Sequence, residues 1–187
     1  MAQQLYGLTS DLQRNFSFLD FGNPPWILLQ NLAELLGDLV ESGGLDGFTL
    51  TGSALVHPGA HIGTNVTMDG PVVIYEGCTV KANAYLREGV VLDPGTAVGP
   101  NVEVKSSIVA GDSALSYLNY VGNSIVGTDV NLEAGVVIAN HFNESPGKTM
   151  AVRFEVSRHD TGVTKFGASW ETRARLARMP SYRREPF

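Results

Sequence analysis

Three polar clusters punctuate an otherwise small and aliphatic stretch of this 187-residue chain. The first is Leu86-Arg87-Glu88-Gly89 and the second Val102-Glu103-Val104-Lys105-Ser106-Ser107. The third is a series, Tyr117-Leu118-Asn119-Tyr120-Val121-Gly122, then Val130-Asn131-Leu132-Glu133-Ala134-Gly135, then Ala139-Asn140-His141. A forked guanidinium and a compact ammonium are the side chains suited to holding an anion. Tyr120, Asn131 and Asn140 add hydroxyl and amide groups able to donate and accept hydrogen bonds. His141 supplies an imidazole and is a candidate base. Metal chemistry is poorly supplied. His57 and His61 share one short stretch, only His141 and His159 remain to complete a three-histidine zinc site, and nothing in the sequence places them together.

The elements that must position these clusters are set by a period of six. An aliphatic residue recurs at Leu50, Val56, Ile62, Met68, Ile74, Val80, Leu86, Leu92, Val98 and Val104. Four residues after each stands a small or β-branched partner: Ala54, Ala60, Val66, Val72, Cys78, Ala84, Val90, Thr96, Val102 and Ile108. Turn residues fall between, as in Val56-His-Pro-Gly-Ala and Val98-Gly-Pro-Asn-Val. A strict six fits neither a helical stripe nor a long alternating strand, but it fits a triangular coil with one hexapeptide per wall. Coils stacked about 4.8 Å apart pair as parallel strands, with the aliphatic residues filling the prism. The phase slips after Ile108 and resumes at Ala114, Tyr120, Val126, Leu132 and Ile138, with partners Leu118, Ser124, Val130, Val136 and Phe142. A slip in a repeat array is where a functional surface is tolerated, because each coil touches only its neighbours.

The sequence divides into an N-terminal arm and helix (1–45), the repeat array (46–142), and an extended segment with an irregular tail (143–187). Asn23-Pro24-Pro25 starts a helix whose apolar face is Trp26, Leu28, Leu29, Leu32, Leu35, Leu36, Leu39 and Val40, and Gly43-Gly44 ends it. It is expected to cap the first open coil. Thr149 to Val156 alternates as a strand, and Glu171 to Phe187 offers a short helix before Pro180. The tail holds Arg173, Arg175, Arg178, Arg183 and Arg184, five of the nine arginines, so the body is more acidic than the net charge of -6 suggests. That balance argues against nucleic acid as a partner. Cys78 is the single cysteine, so no disulfide within the chain forms and a cytoplasmic home follows. No stretch reads as a leader or a membrane span, and a soluble protein is expected.

Taken together, the clusters resemble, over residues 50 to 142, the acetyltransferase domain of bifunctional glucosamine-1-phosphate acetyltransferase/uridyltransferases and their archaeal sugar-phosphate relatives. There the motifs read L-R-x-G, V-E-[hydrophobic]-K, H-L-x-Y-[hydrophobic]-G, V-N-[hydrophobic]-G-A-G, and N at the close of the next hexapeptide. The resemblance implies an all-β fold, a single-stranded left-handed parallel β-helix working as a homotrimer. It implies transfer from acetyl-CoA or another acyl-CoA to an amino-sugar phosphate or nucleotide-sugar, with no metal. By position, Arg87 and Lys105 hold the phosphate, Tyr120 and Asn131 contact phosphate and amine, Asn140 bonds the sugar, and Ala134 lines the acyl-CoA side.

Two departures qualify this. Tyr117 stands where the family has its catalytic histidine, and a phenol near pKa 10 is a poor base compared with an imidazole near about 6.5; His141 is the candidate substitute. After Lys165-Phe166-Gly167-Ala168 the further coils that bind coenzyme A in relatives are not expected, nor is a nucleotidyltransferase half. The alternative is therefore an impaired β-helix that binds a sugar phosphate or serves as a trimeric scaffold.

Overall fold

The computed structural model describes Phe16, Leu19 and residues 23–145, 147–154, 157–169 and 175–176. Short strands dominate it. The first wall stacks β2 (Ala54–Val56), β5 (Val72–Ile74), the end of β7 (Tyr85–Leu92), the end of β9 (Glu103–Val109) and β12 (Ile125–Val126). The second stacks β3 (His61–Ile62), β6 (Thr79–Val80), β8 (Ala97–Val98), β10 (Ala114–Leu115), β13 (Asn131–Leu132) and β17 (Arg175–Leu176). The third stacks β4 (Thr67–Asp69), the starts of β7 and β9, β11 (Tyr120–Gly122) and β14 (Val137–Ile138). Every one of these pairings is parallel, giving a three-walled β-solenoid of about five turns.

Up to Val104 the walls keep the expected phase, and Val80, Leu86, Leu92, Val98 and Val104 are fully buried inside the prism. Leu50 is the exception. It lies on β1 (Thr49–Thr51), an antiparallel strand that covers the first edge of β2, and it is 54% exposed.

The slip is one residue lost from the same corner in each of two successive coils. Val73 pairs with Val91 at the eighteen-residue spacing, but Val91 pairs with Ile108 and Ile108 with Ile125 at seventeen. The shortened corners are Ser106 and Asn123, both with φ of 44°. The inward residues after the slip are consequently Val109, Leu115, Val121, Val126, Leu132 and Ile138. Ala114 and Tyr120 turn outward, and Leu118 is 60% exposed, with Asn119 taking the inward place. Hydrophobicity conceals this. Inward Ser107, Ser113 and Asn119 are polar, each accepting a bond from the next coil's backbone N–H at Ser124, Val130 and Val136 (3.0, 3.0 and 2.9 Å).

Ile108, meanwhile, turns outward and stays buried, because a helix covers it. Helix α1 (Pro25–Glu41) starts on prolines and closes through Gly44 N–H to Leu39 O at 2.9 Å. Its Leu28, Leu29, Leu32 and Leu36, with Phe16 and Leu19, pack on Leu55, Val73, Val91, Ile108 and Ile125. These five are the outward residues of the first wall. The helix thus lies along the solenoid's side instead of over its open end, because that wall presents a column of apolar side chains that its leucines match. Its 17 residues extend about 25 Å, enough to span the stacked strands beneath.

After Asn140 the chain leaves the prism in a hairpin, β15 (Ala151–Phe154) against β16 (Ser157–Asp160), and returns at Phe166–Ser169, where Ser169 bridges to Ile125. Within the stretch read as a short helix, Arg175–Leu176 is instead a strand on Asn131–Leu132. Arg173, Arg178, Arg183, Arg184 and the arm before Phe16 lie outside the described residues.

Candidate functional site

The corner between the third and first walls carries the site. Strand alternation turns Met68, Leu86, Val104, Val121 and Ile138 inward, so their neighbours project outward in two rows. One row is Thr67, Tyr85, Glu103, Tyr120 and Val137, and the other is Asp69, Arg87, Lys105 and Gly122. Arg87 and Lys105 are thereby cross-strand neighbours, although they are eighteen apart in sequence.

Both cations are paired. Arg87 donates from Nε to Glu103 Oε1 at 2.8 Å, with Nη2 at 2.7 Å from the same oxygen, and it also pairs with Glu88. Lys105 Nζ lies 3.0 Å from Glu88 Oε2. Burial pushes the Glu88 carboxyl up, but the hydrogen bond and charge of Lys105, with Arg87 and Lys165, hold it below its ordinary value. Burial works against the Arg87 cation, and the bond and charge of Glu103, joined by the charge of Glu88, together raise its pKa above the ordinary value.

Above them sits an amide ladder. Asn140 donates from Nδ2 to Asn123 Oδ1 at 2.6 Å, and both residues are buried. Tyr120 lies against Asn140, whose side chain works to lower its pKa, but burial, then Glu103, raises it. His141 Nδ1 is 3.0 Å from Asn140 Oδ1, with its ring on the exposed side. Gly122 makes the assembly fit: a Cβ there would meet Tyr120 Oη at 2.7 Å and Asn140 Nδ2 at 2.8 Å.

Beside this network a cleft of about 400 Å³ opens between the corner and α1. Glu88, Ser106 and Asn123 form its floor, Gln30 and Ala33 its helical side, and Lys165 on the returning chain its far side. The shortened corners therefore line the cleft.

Of the residues singled out by sequence, Arg87, Lys105, Tyr120, Asn140 and His141 come together here. Asn131 does not: it sits on β13 in the second wall, opposite Ala114 and Arg175. Tyr117 and Ala134 stand at the corner between the second and third walls, where Tyr117 O accepts from Gly135 N–H at 3.1 Å and the Tyr117 ring is 55% exposed. Asn123, Lys165 and the helical side of the cleft were not assigned from sequence; the seventeen-residue step from Ser106 to Asn123 was the signal available. His57 Nδ1 accepts from Gly59 N–H and its ring abuts Phe48, while His61 lies on the second wall. Among the described residues no group of three His, Cys, Asp or Glu is placed to hold a metal ion.

The chain resembles known proteins over parts of its length. The chain is 40% identical over 67 residues to a bifunctional sugar-1-phosphate nucleotidylyltransferase/acetyltransferase from Sulfurisphaera tokodaii, covering 35% of this chain and 16% of that protein. It is 40% identical over 48 residues to the bifunctional protein GlmU of Acetivibrio thermocellus, covering 26% of this chain and 10% of the relative. Among solved structures, PerB from Caulobacter crescentus in complex with CoA and GDP-perosamine aligns at 17% identity, with a TM-score of 0.32, over 69% of this chain and 64% of PerB. Serine acetyltransferase (CysE) from Neisseria gonorrhoeae aligns at 13% identity, with a TM-score of 0.36, over 87% of this chain and 65% of that one. A family model described as the GMPPB C-terminal domain matches residues 50–157, more than half of the chain, and the chain belongs to that family.

Proposed function

We propose that this corner binds the phosphate of an amino-sugar phosphate or nucleotide-sugar, and that the chain is an acyl-CoA-dependent transferase, probing for which begins with acetyl-CoA. The observation that carries the reading is the juxtaposition of Arg87 and Lys105 on adjacent strands, with Tyr120 and Asn140 on the same corner beside the cleft. A guanidinium and an ammonium side by side suit the oxygens of one phosphate. The names of the relatives, which join sugar-1-phosphate and acetyltransferase activities, support the substrate class. In such a reaction the amine attacks the thioester carbonyl, the coenzyme A thiolate leaves, and the amine proton passes to a base. Positioning and stabilisation of the developing oxyanion supply most of the acceleration. His141 is the base in this reading, held by Asn140 at the edge of the ladder. Asn131 and Ala134 would act from a second copy in a homotrimer, since both lie on other surfaces of the same chain. A cytoplasmic setting goes with this reading.

A second reading, an impaired enzyme that binds without transferring, is favoured by Tyr117. Its ring stands exposed at another corner, and a phenol is a poorer general base than an imidazole. Two measurements on the native chain separate the readings: binding of glucosamine-1-phosphate by calorimetry, and release of coenzyme A from acetyl-CoA with glucosamine-1-phosphate or UDP-amino-sugars. Saturable binding that Arg87→Ala abolishes, with turnover, is the expected result. Binding without turnover leaves the second reading, with Tyr117→His expected to restore activity if only the base is lacking. No binding would reject both.

A further inference from the structure

We propose that Glu88 is a resident counter-anion, its carboxylate filling the place between Arg87 and Lys105 that an incoming phosphate takes, so that ligand entry displaces it. This rests on the reading of the corner as a phosphate site.

Geometry carries the inference. Glu88 pairs with Arg87 through one oxygen and with Lys105 through the other, at 3.0 Å for the latter. A carboxylate bridging two cations in this way presents the same charge and acceptor atoms as two oxygens of a phosphate. Lys105 is 8% exposed, so its ammonium needs an anionic partner whether or not ligand is bound.

The backbone shows how unusual the residue is for its place. Along this corner, the column running coil by coil is Gly70, Glu88, Ser106 and Asn123, with φ of 100°, 56°, 44° and 44°. Left-handed corners favour glycine and asparagine, and a glutamate there carries a backbone cost. Its neighbours in the column are short, and only the glutamate reaches back to Arg87 and Lys105.

The carboxylate also has somewhere to go. Its side chain is 50% exposed, and it borders the cleft whose opposite side carries Lys165, a cation that already acts on it. With Glu88 inward, the charges of Arg87, Lys105, Glu88 and Glu103 cancel. With Glu88 turned into the cleft toward Lys165, the pair regains a positive charge for the ligand.

The test is calorimetric titration of the native chain, Glu88→Gln and Glu88→Asn with glucosamine-1-phosphate, and with inorganic phosphate, at constant ionic strength. Glutamine keeps the shape and removes the charge, whereas asparagine suits the left-handed backbone. Both variants are expected to bind at least about tenfold tighter than the native chain, a difference of about 1.4 kcal/mol. Native binding that the two variants leave unchanged or weaken overturns the counter-anion role while keeping the site. Absence of binding in all three, with circular dichroism showing each folded, overturns the phosphate reading itself.

Discussion

Gly122 illustrates how closely the site is packed at the level of single side chains. Its Cα faces the Tyr120 hydroxyl and the Asn140 amide, and any Cβ would lie within 2.8 Å of both. These are ends of side chains, not backbone, so Gly122→Ala is expected to fold and to displace them. Overpacking of this kind costs about 1–3 kcal/mol, which the remaining solenoid can absorb. The expected outcome is a loss of sugar-phosphate affinity of about tenfold or more, read by calorimetry, with a strand-type circular dichroism spectrum like that of the native chain. Unchanged affinity would remove Tyr120 and Asn140 from the ligand's contacts. At this scale the sequence was informative where side-chain type carries the meaning, as with Arg87, Lys105, Tyr120 and Asn140. It was less so where meaning depends on register. Glu88 and Glu103 sit inside readable motifs, but their role follows from which cation lies across the strand pair. Asn123 becomes visible only once the coil is known to be seventeen residues there.

At the scale of elements, α1 and the first wall determine one another. The helix approaches the corner so closely that a Cβ on Gly89 would lie 2.8 Å from the Ala33 backbone nitrogen, whereas one on Gly47 would meet nothing within 4 Å. Both glycines are left-handed, with φ of 88° and 83°. Gly47→Ala therefore reports backbone strain alone, about 1–2 kcal/mol. Gly89→Ala adds a collision with helix backbone that cannot rotate away, and is expected to cost about 2–4 kcal/mol. Thermal unfolding of the two variants compares them directly, and equal shifts in Tm would mean that α1 is not seated on this corner. The helix itself was legible from its prolines, leucine spacing and terminal glycines. Its seat was not, because Leu55, Val73, Val91, Ile108 and Ile125 read as extra hydrophobic residues beside the repeat. Their steps of eighteen, eighteen, seventeen and seventeen trace the docking column and the slip together. The same steps explain why Ala114, Tyr120 and Leu118 were expected inside: polar Ser107, Ser113 and Asn119 occupy inward places that a hydrophobic pattern cannot mark.

For the whole molecule, what remains is the surface that α1 does not cover. Tyr117, Leu118 and Val137 are 55%, 60% and 69% exposed, and with Leu50 they are the large apolar side chains so placed among the described residues. They adjoin one another: the Tyr117 carbonyl accepts from Gly135, and Val137 pairs with Tyr120 in the outward row that also holds Glu103. A contiguous apolar patch at the border of a polar site suits burial against another protein surface. We propose that the surface is a second copy's, in a cyclic arrangement of three, which would bring each patch up to a neighbour's Asn131 and Ala134. Sedimentation equilibrium tests this on the full chain. The native protein is expected at the mass of three copies of 20.0 kDa, and Leu118→Asp with Val137→Asp at the mass of one. Because both substituted side chains point outward, the prism's packing is untouched, and circular dichroism should match the native spectrum. Acyl transfer should fall with the trimer if the site is shared between copies. A native chain that sediments as one copy at micromolar concentration would sink the arrangement, and would leave Asn131 on the second wall and Ala134 at the corner beyond it, outside the site that Arg87 and Lys105 form.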